Sequence, residues 1–320
     1  MKFKHTLLCA SAAALLFSCK PKSTDAKSET TTKEVIVKNT AENTVKSFRQ
    51  AILDGKGEQL WNQLPTSYQK DVNFVVQDFA TTLDPAIYKQ SVDILTSLNS
   101  TLKAKKSILV EFAIEKAKTM NPEVKAEDVT KRFEVASKVL DSIVTSDFKD
   151  LEALKKTDLK DFFKNTVSTL LTLATDAEKA SNDPKMAQAF AALKSTGIKV
   201  LSESDLETVL EMTLPAHGET AAKTEKVTFT KVEDKWLPQD MAKDWKTEIA
   251  KIKENITKMK TPEAMQKQKQ AGMFLMMAKG FTDQLAAIKT KEDLTTLVNS
   301  LPIPGLGAAP QGMPMPPKGM

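Results

Sequence analysis

Thr208-Val209-Leu210-Glu211-Met212-Thr213-Leu214 is the stretch that decides the fold class. Thr208, Leu210, Met212 and Leu214 alternate with Val209, Glu211 and Thr213. Successive side chains of a strand point to opposite faces, so a period of two predicts a strand rather than a helix. Working outward, Gly197-Ile198-Lys199-Val200-Leu201 reads as extended chain. Val227 and Phe229 alternate with Thr228 and Thr230, and Glu233-Asp234 turns the chain into Lys235-Trp236-Leu237. Residues 197–237 therefore predict an antiparallel meander of three or four strands. Pro215-Ala216-His217-Gly218-Glu219 reads as a turn within it. One face of such a meander is apolar and must be covered, and the preceding helices are expected to cover it.

Outside this stretch the periodicity is helical. Val72, Val75, Val76, Phe79 and Leu83 share one face. Leu95, Leu98, Leu102, Leu109 and Phe112 form a longer stripe. Leu159, Phe162, Phe163, Val167, Leu170, Leu171 and Ala174 form a third at 3.6-residue spacing. Asp84-Pro85, Asn121-Pro122, Asp183-Pro184 and Thr261-Pro262 each place a capping side chain before a proline suited to the first helical position. Pro238-Gln239-Asp240 ends the sheet, and helix resumes through Trp245, Ile249 and Ile252. The expected fold is α+β and mostly helical, with the small meander at 197–237 and helices after it.

Met265 to Ile288 contains the most apolar run outside the N-terminus, Gly272-Met273-Phe274-Leu275-Met276-Met277. Methionine is flexible and polarisable and adapts to varied partners. Met273, Phe274, Met276 and Met277 are the candidate contact residues for a partner, an apolar ligand or lipid; the competing reading is a core helix. Lys267, Lys269, Lys279 and Lys289 flank the run, which suits anionic lipid.

The N-terminus carries a separate signal. Met1-Lys2-Phe3-Lys4-His5 is basic, and Thr6 to Phe17 is a mostly apolar run of signal-peptide length. A spanning helix needs about 20 apolar residues, so this run is too short to be a permanent membrane span. Leu16-Phe17-Ser18-Cys19 resembles the lipobox of bacterial lipoproteins: aliphatic Leu16 at −3, small Ser18 at −1, then Cys19. That resemblance covers about 19 residues. It implies cleavage between Ser18 and Cys19 and acylation of Cys19, which holds the chain on a membrane without crossing it. Lys20 at +2 is not the aspartate that marks inner-membrane retention in that family. The implied location is the bacterial cell envelope, at the outer membrane facing the periplasm.

Processing sharpens what the composition excludes. Loss of residues 1–18 removes Lys2 and Lys4 and no acid, lowering the net charge from +5 to +3. Basic and acidic residues are interleaved. Even the densest basic knot of the first half, Lys103, Lys105 and Lys106, is followed by Glu111 and Glu115. No nucleic-acid partner is expected from such a pattern. Cys9 leaves with the signal peptide and Cys19 is acylated, so no disulfide, cysteine nucleophile or cysteine-based metal site is expected. His217 is then the only histidine, too few for a zinc site. The chain has no Gly-x-Ser-x-Gly elbow and no phosphate-cradling glycine motif. Met313, Met315 and Met320 are soft ligands without histidine support. No cofactor, metal or catalytic residue is expected.

Four segments follow. Residues 1–18 are the signal peptide. Residues 19–40, rich in Lys, Ser and Thr, are the lipidated cysteine and a flexible tether. Residues 41–300 form one mostly helical α+β domain. Residues 301–320, rich in Pro, Gly and Met, are expected to be disordered.

Trp61-x-x-Leu64-Pro65-x-Ser67-Tyr68-Gln69-x-Asp71-Val72 and Lys235-Trp236-Leu237-Pro238 resemble segments of uncharacterised bacterial envelope lipoproteins. Helix followed by strands ending in a tryptophan also resembles NTF2-like ligand-holding folds, although the helical part here is longer. Neither resemblance supplies functional residues. Three functions fit these readings. The first is a non-enzymatic, membrane-anchored lipoprotein that binds or scaffolds another envelope component. The second is a carrier or chaperone for lipid or another apolar ligand. The third is a hydrolase using two carboxylates in an enclosed cleft, for which three Trp and two Tyr make a sparse sugar-binding set.

Overall fold

A computed structural model describes residues 39–179, 184–214 and 221–300. Its fold is α+β and mostly helical, with one small antiparallel sheet. Helices α1 (Ala41–Leu53), α2 (Gly57–Asn62), α3 (Thr66–Thr81), α4 (Pro85–Ala104), α5 (Lys106–Met120) and α6 (Ala126–Val144) come first. A 3₁₀ turn at Asp147–Lys149 leads to the short α7 (Leu151–Leu154) and α8 (Leu159–Phe162), then α9 (Ser168–Lys179) and α10 (Pro184–Ser195). Strands β1 (Gly197–Glu203), β2 (Glu207–Leu214), β3 (Lys223–Val232) and β4 (Lys235–Pro238) follow. Helices α11 (Gln239–Met259), α12 (Pro262–Ala287) and α13 (Lys291–Ser300) complete the described chain.

The sheet has the order β1-β2-β3-β4, each strand antiparallel to the next. Leu210 and Thr208 point into the core, as the alternation predicts. Leu210, Phe229 and Trp236 bury against Ala41 and Val45, so α1 covers the apolar face. The pairing register of β1 shifts between Val200 and Ser202, an irregularity suited to an edge strand that must not recruit further strands. The β3–β4 hairpin turns through Glu233 and Asp234, both with positive φ (48° and 62°), the backbone hand that two-residue hairpin loops require. Ser67 N–H donates to the Glu233 carboxylate at 3.1 Å. This contact caps α3, whose own N-cap, Pro65, makes no side-chain cap. Burial lifts the Tyr68 hydroxyl pKa, and its ring stacks on Trp245, whose Nε1 donates to Asp71 at 3.0 Å.

Four sequence expectations need correction. Asn121-Pro122 does not start a helix. The Asn121 side chain accepts from Glu123 N–H in a turn, and α6 begins at Ala126. The stripe from Leu95 to Phe112 is divided at Lys105, so Leu95, Leu98 and Leu102 lie on α4 and Leu109 and Phe112 on α5. Phe79 and Leu95, read as stripe residues, stand partly in solvent, 38 and 39% exposed. The third stripe is not regular α-helix, because Phe163–Val167 forms a π-helical turn between α8 and α9. Asp84 and Thr261 do cap α4 and α12. Asp183, the turn around His217, residues 19–38 of the tether and the Pro/Gly/Met tail lie outside the described residues.

Candidate functional site

The π-helical turn is explained by its neighbour. Gly57 opens α2 against this turn, and a Cβ there would meet Phe163 O at 2.1 Å and Ser168 N at 2.9 Å. Gly57 N–H donates to Ser168 Oγ at 2.9 Å, and that hydroxyl donates to Phe163 O at 3.2 Å. Gly55, with φ 69°, brings the preceding loop onto Thr172. One extra residue in the turn of helix thus opens a seat for the start of α2.

Beside that seat lies an open groove of about 580 Å³ lined by Ser142, Thr145, Asp147, Asp161, Asn165 and Thr169, among others. Ser142, Thr145 and Thr169 donate to carbonyls four residues back in their own helices. Their protons are committed to the backbone, so these hydroxyls are not poised toward a base as nucleophiles would be. Asp147 and Asp161 both line this open groove rather than an enclosed cleft. A smaller cavity of about 260 Å³ lies where the chain enters α1, between Asn39, Asn43, Gln63 and the β3–β4 turn. Among the described residues no group of three or more His, Cys, Asp or Glu could hold a metal.

Helix α12 presents a different kind of surface. Its inner side is engaged: Gln268 accepts from Asp84 N–H at 3.1 Å and donates to Thr82 O at 2.9 Å. Toward its end Leu285 joins Ile288, Leu294 and Leu297 in a core with residues of α4 and α5. Its outer side carries Met273, Phe274, Met276 and Met277, exposed by 59, 68, 63 and 63%. At about 100° per residue these four span an arc of roughly 160°, centred opposite Thr282, which is buried. Met265 extends the exposed face toward the helix start. Among the described residues nothing lies within 4 Å of where a Cβ on Gly272 or Gly280 would sit. The outer side of α12 is therefore apolar along Met273–Met277 and polar along Gln266, Lys269 and Gln270 before it, so the apolar part is a bounded patch rather than a whole face.

The structure therefore brings the four predicted contact residues together and turns them outward. Ser18 and Cys19 lie outside the described residues. The basic knot is taken up internally: Lys103 pairs with Asp141, Lys106 pairs with Glu134 at 2.7 Å, and Lys105 donates to Ile288 O at 2.7 Å. Sequence reading missed Gly55 and Gly57, whose role depends on a helix more than one hundred residues away. No helix of the described residues is long and apolar enough to cross a membrane. Comparison with protein-family models, curated proteins and solved structures gives no match.

Proposed function

We propose that this chain is a membrane-anchored lipoprotein of the bacterial cell envelope that acts by binding another envelope component, not by catalysis. The observation that carries the binding role is the outer face of α12. Four adjoining large apolar side chains stand in solvent on a helix whose inner face is fixed by Gln268 and Leu285. Such a patch loses free energy to water until something covers it. The lipobox resemblance at Leu16-Phe17-Ser18-Cys19 supports the anchor and the envelope location. The two cavities described above are lined largely by polar side chains, which gives the carrier reading no particular support.

A Cys19→Ser chain tests the anchor. It should leave the membrane fraction and take up no acyl label when cells grow on a tagged palmitate. A Cys19→Ser chain that stays in the membrane pellet with acyl label attached would end the lipoprotein reading.

A further inference from the structure

We infer that the outer face of α12 lies flat on the anionic leaflet to which the chain is anchored, with Met273, Phe274, Met276 and Met277 buried among the acyl chains just below the headgroups. The inference rests on the lipoprotein reading and names the occupant of the same face.

Three features select a bilayer surface over other occupants. The first is charge. Lys267, Lys269 and Lys279 are the only charged residues between Glu263 and Asp283. Lys279 pairs with Asp283 at 2.6 Å, whereas Lys267 and Lys269 make no ion pair among the described residues. Methionine and phenylalanine on the exposed side with lysine beside them suit an anionic interface.

The second is area. Side chains of roughly 200 Å² each, about six-tenths exposed, offer roughly 500 Å². A stable pair of copies buries about 800 Å² per partner, so it would have to cover the surrounding Gln266, Lys269 and Gln270 as well as the apolar patch. Self-association would also bring the lysines of two copies together. A bilayer imposes no minimum area and meets the lysines with opposite charge.

The third is reach. The chain from residue 19 to Asn39 extends at most about 70 Å. A body of about 260 residues has a radius of gyration of roughly 18 Å. The link therefore lets the α12 face meet the leaflet wherever that face sits on the body. Because acylation already holds the chain in place, this second contact sets the orientation of the body.

The test uses full-length protein recovered with its anchor and reconstituted in vesicles of phosphatidylcholine with or without phosphatidylglycerol. Phe274→Cys, Met277→Cys and, as a control on β1, Glu203→Cys each receive an environment-sensitive fluorophore. Bromine-labelled acyl chains should quench positions 274 and 277 several-fold more than position 203. Omitting phosphatidylglycerol or raising salt should reduce the difference. A chain that floats with the vesicles while position 274 is quenched no more than 203 overturns the α12 contact and leaves the anchor standing. A chain that fails to float, or a wild-type chain that takes up label at a free thiol, overturns the anchor and the inference together. Fluorescence at 274 that is shielded from both water and bromine, with a protein dimer in solution, overturns the bilayer in favour of a second copy.

Discussion

Gly57→Ala is the sharpest test of the packing that shapes this fold. The added methyl would sit 2.1 Å from Phe163 O and 2.9 Å from Ser168 N, both main-chain atoms that no rotamer change can move aside. Overpacking of this kind costs about 1–3 kcal/mol. If α2 moves away to relieve it, the 2.9 Å bond from Gly57 N–H to Ser168 Oγ is lost as well, adding about 1 kcal/mol. The sum is about 2–4 kcal/mol, partly offset because alanine suits a helix better than glycine. For a domain of this size about 1 kcal/mol moves Tm by roughly 2–4 °C, so a drop of about 5–12 °C is expected. Gly272→Ala is the matched control. It also sits inside a helix, but its Cβ would meet nothing within 4 Å among the described residues, so it should gain about 0.5–1 kcal/mol. Thermal unfolding followed by far-ultraviolet circular dichroism compares the two. A Gly57→Ala protein melting within about 2 °C of wild type would refute the close seating of α2 on the π-helical turn.

Thr208 is 1% exposed and its hydroxyl has no hydrogen-bond partner among the described residues. Thr208→Val keeps the shape and removes the stranded polar atom, so it should stabilise by about 1 kcal/mol; a loss of stability in denaturant titration would show that the hydroxyl is satisfied in solution. Acid should lower the stability of the fold modestly. The Glu233 carboxyl is held below its ordinary pKa first by Ser67, Glu115 by the hydrogen bond from Lys291, and Asp293 by the N–H groups of Lys289 and Thr290. A depressed folded-state pKa contributes stability above the unfolded value that is lost as pH falls through the folded one. Tm should therefore hold steady down to about pH 5 and fall below about pH 4; a fall that is complete above about pH 5 would mean that these carboxylates do not govern it.

The meander was legible because Leu210, Phe229 and Trp236 obey a two-residue period imposed by a single covered face. Asp84 and Thr261 were legible as caps because a cap is a local matter of a few residues. Asn121 carried the same local pattern but spends its side chain on Glu123 N–H, and nothing local separates a turn from a helix start there. The π-helical turn was illegible for a different reason: its cause is Gly57, far away in sequence, and the local apolar spacing still fits a plain helix. For α12 the run of methionines gave the residues but not the side they face. The inner face was settled by Gln268 reaching Thr82 O and Asp84 N–H, contacts that span more than 180 residues.

On the proposed reading, the outer face of α12 is the working surface of an anchored protein. Photocrosslinking in living cells tests it most directly, with a photoreactive amino acid placed at position 274 and, in a parallel strain, at the exposed edge-strand position 199. Abundant adducts are expected at 274, with phospholipid among them, and few at 199. Equal and sparse adducts at both positions would contradict it.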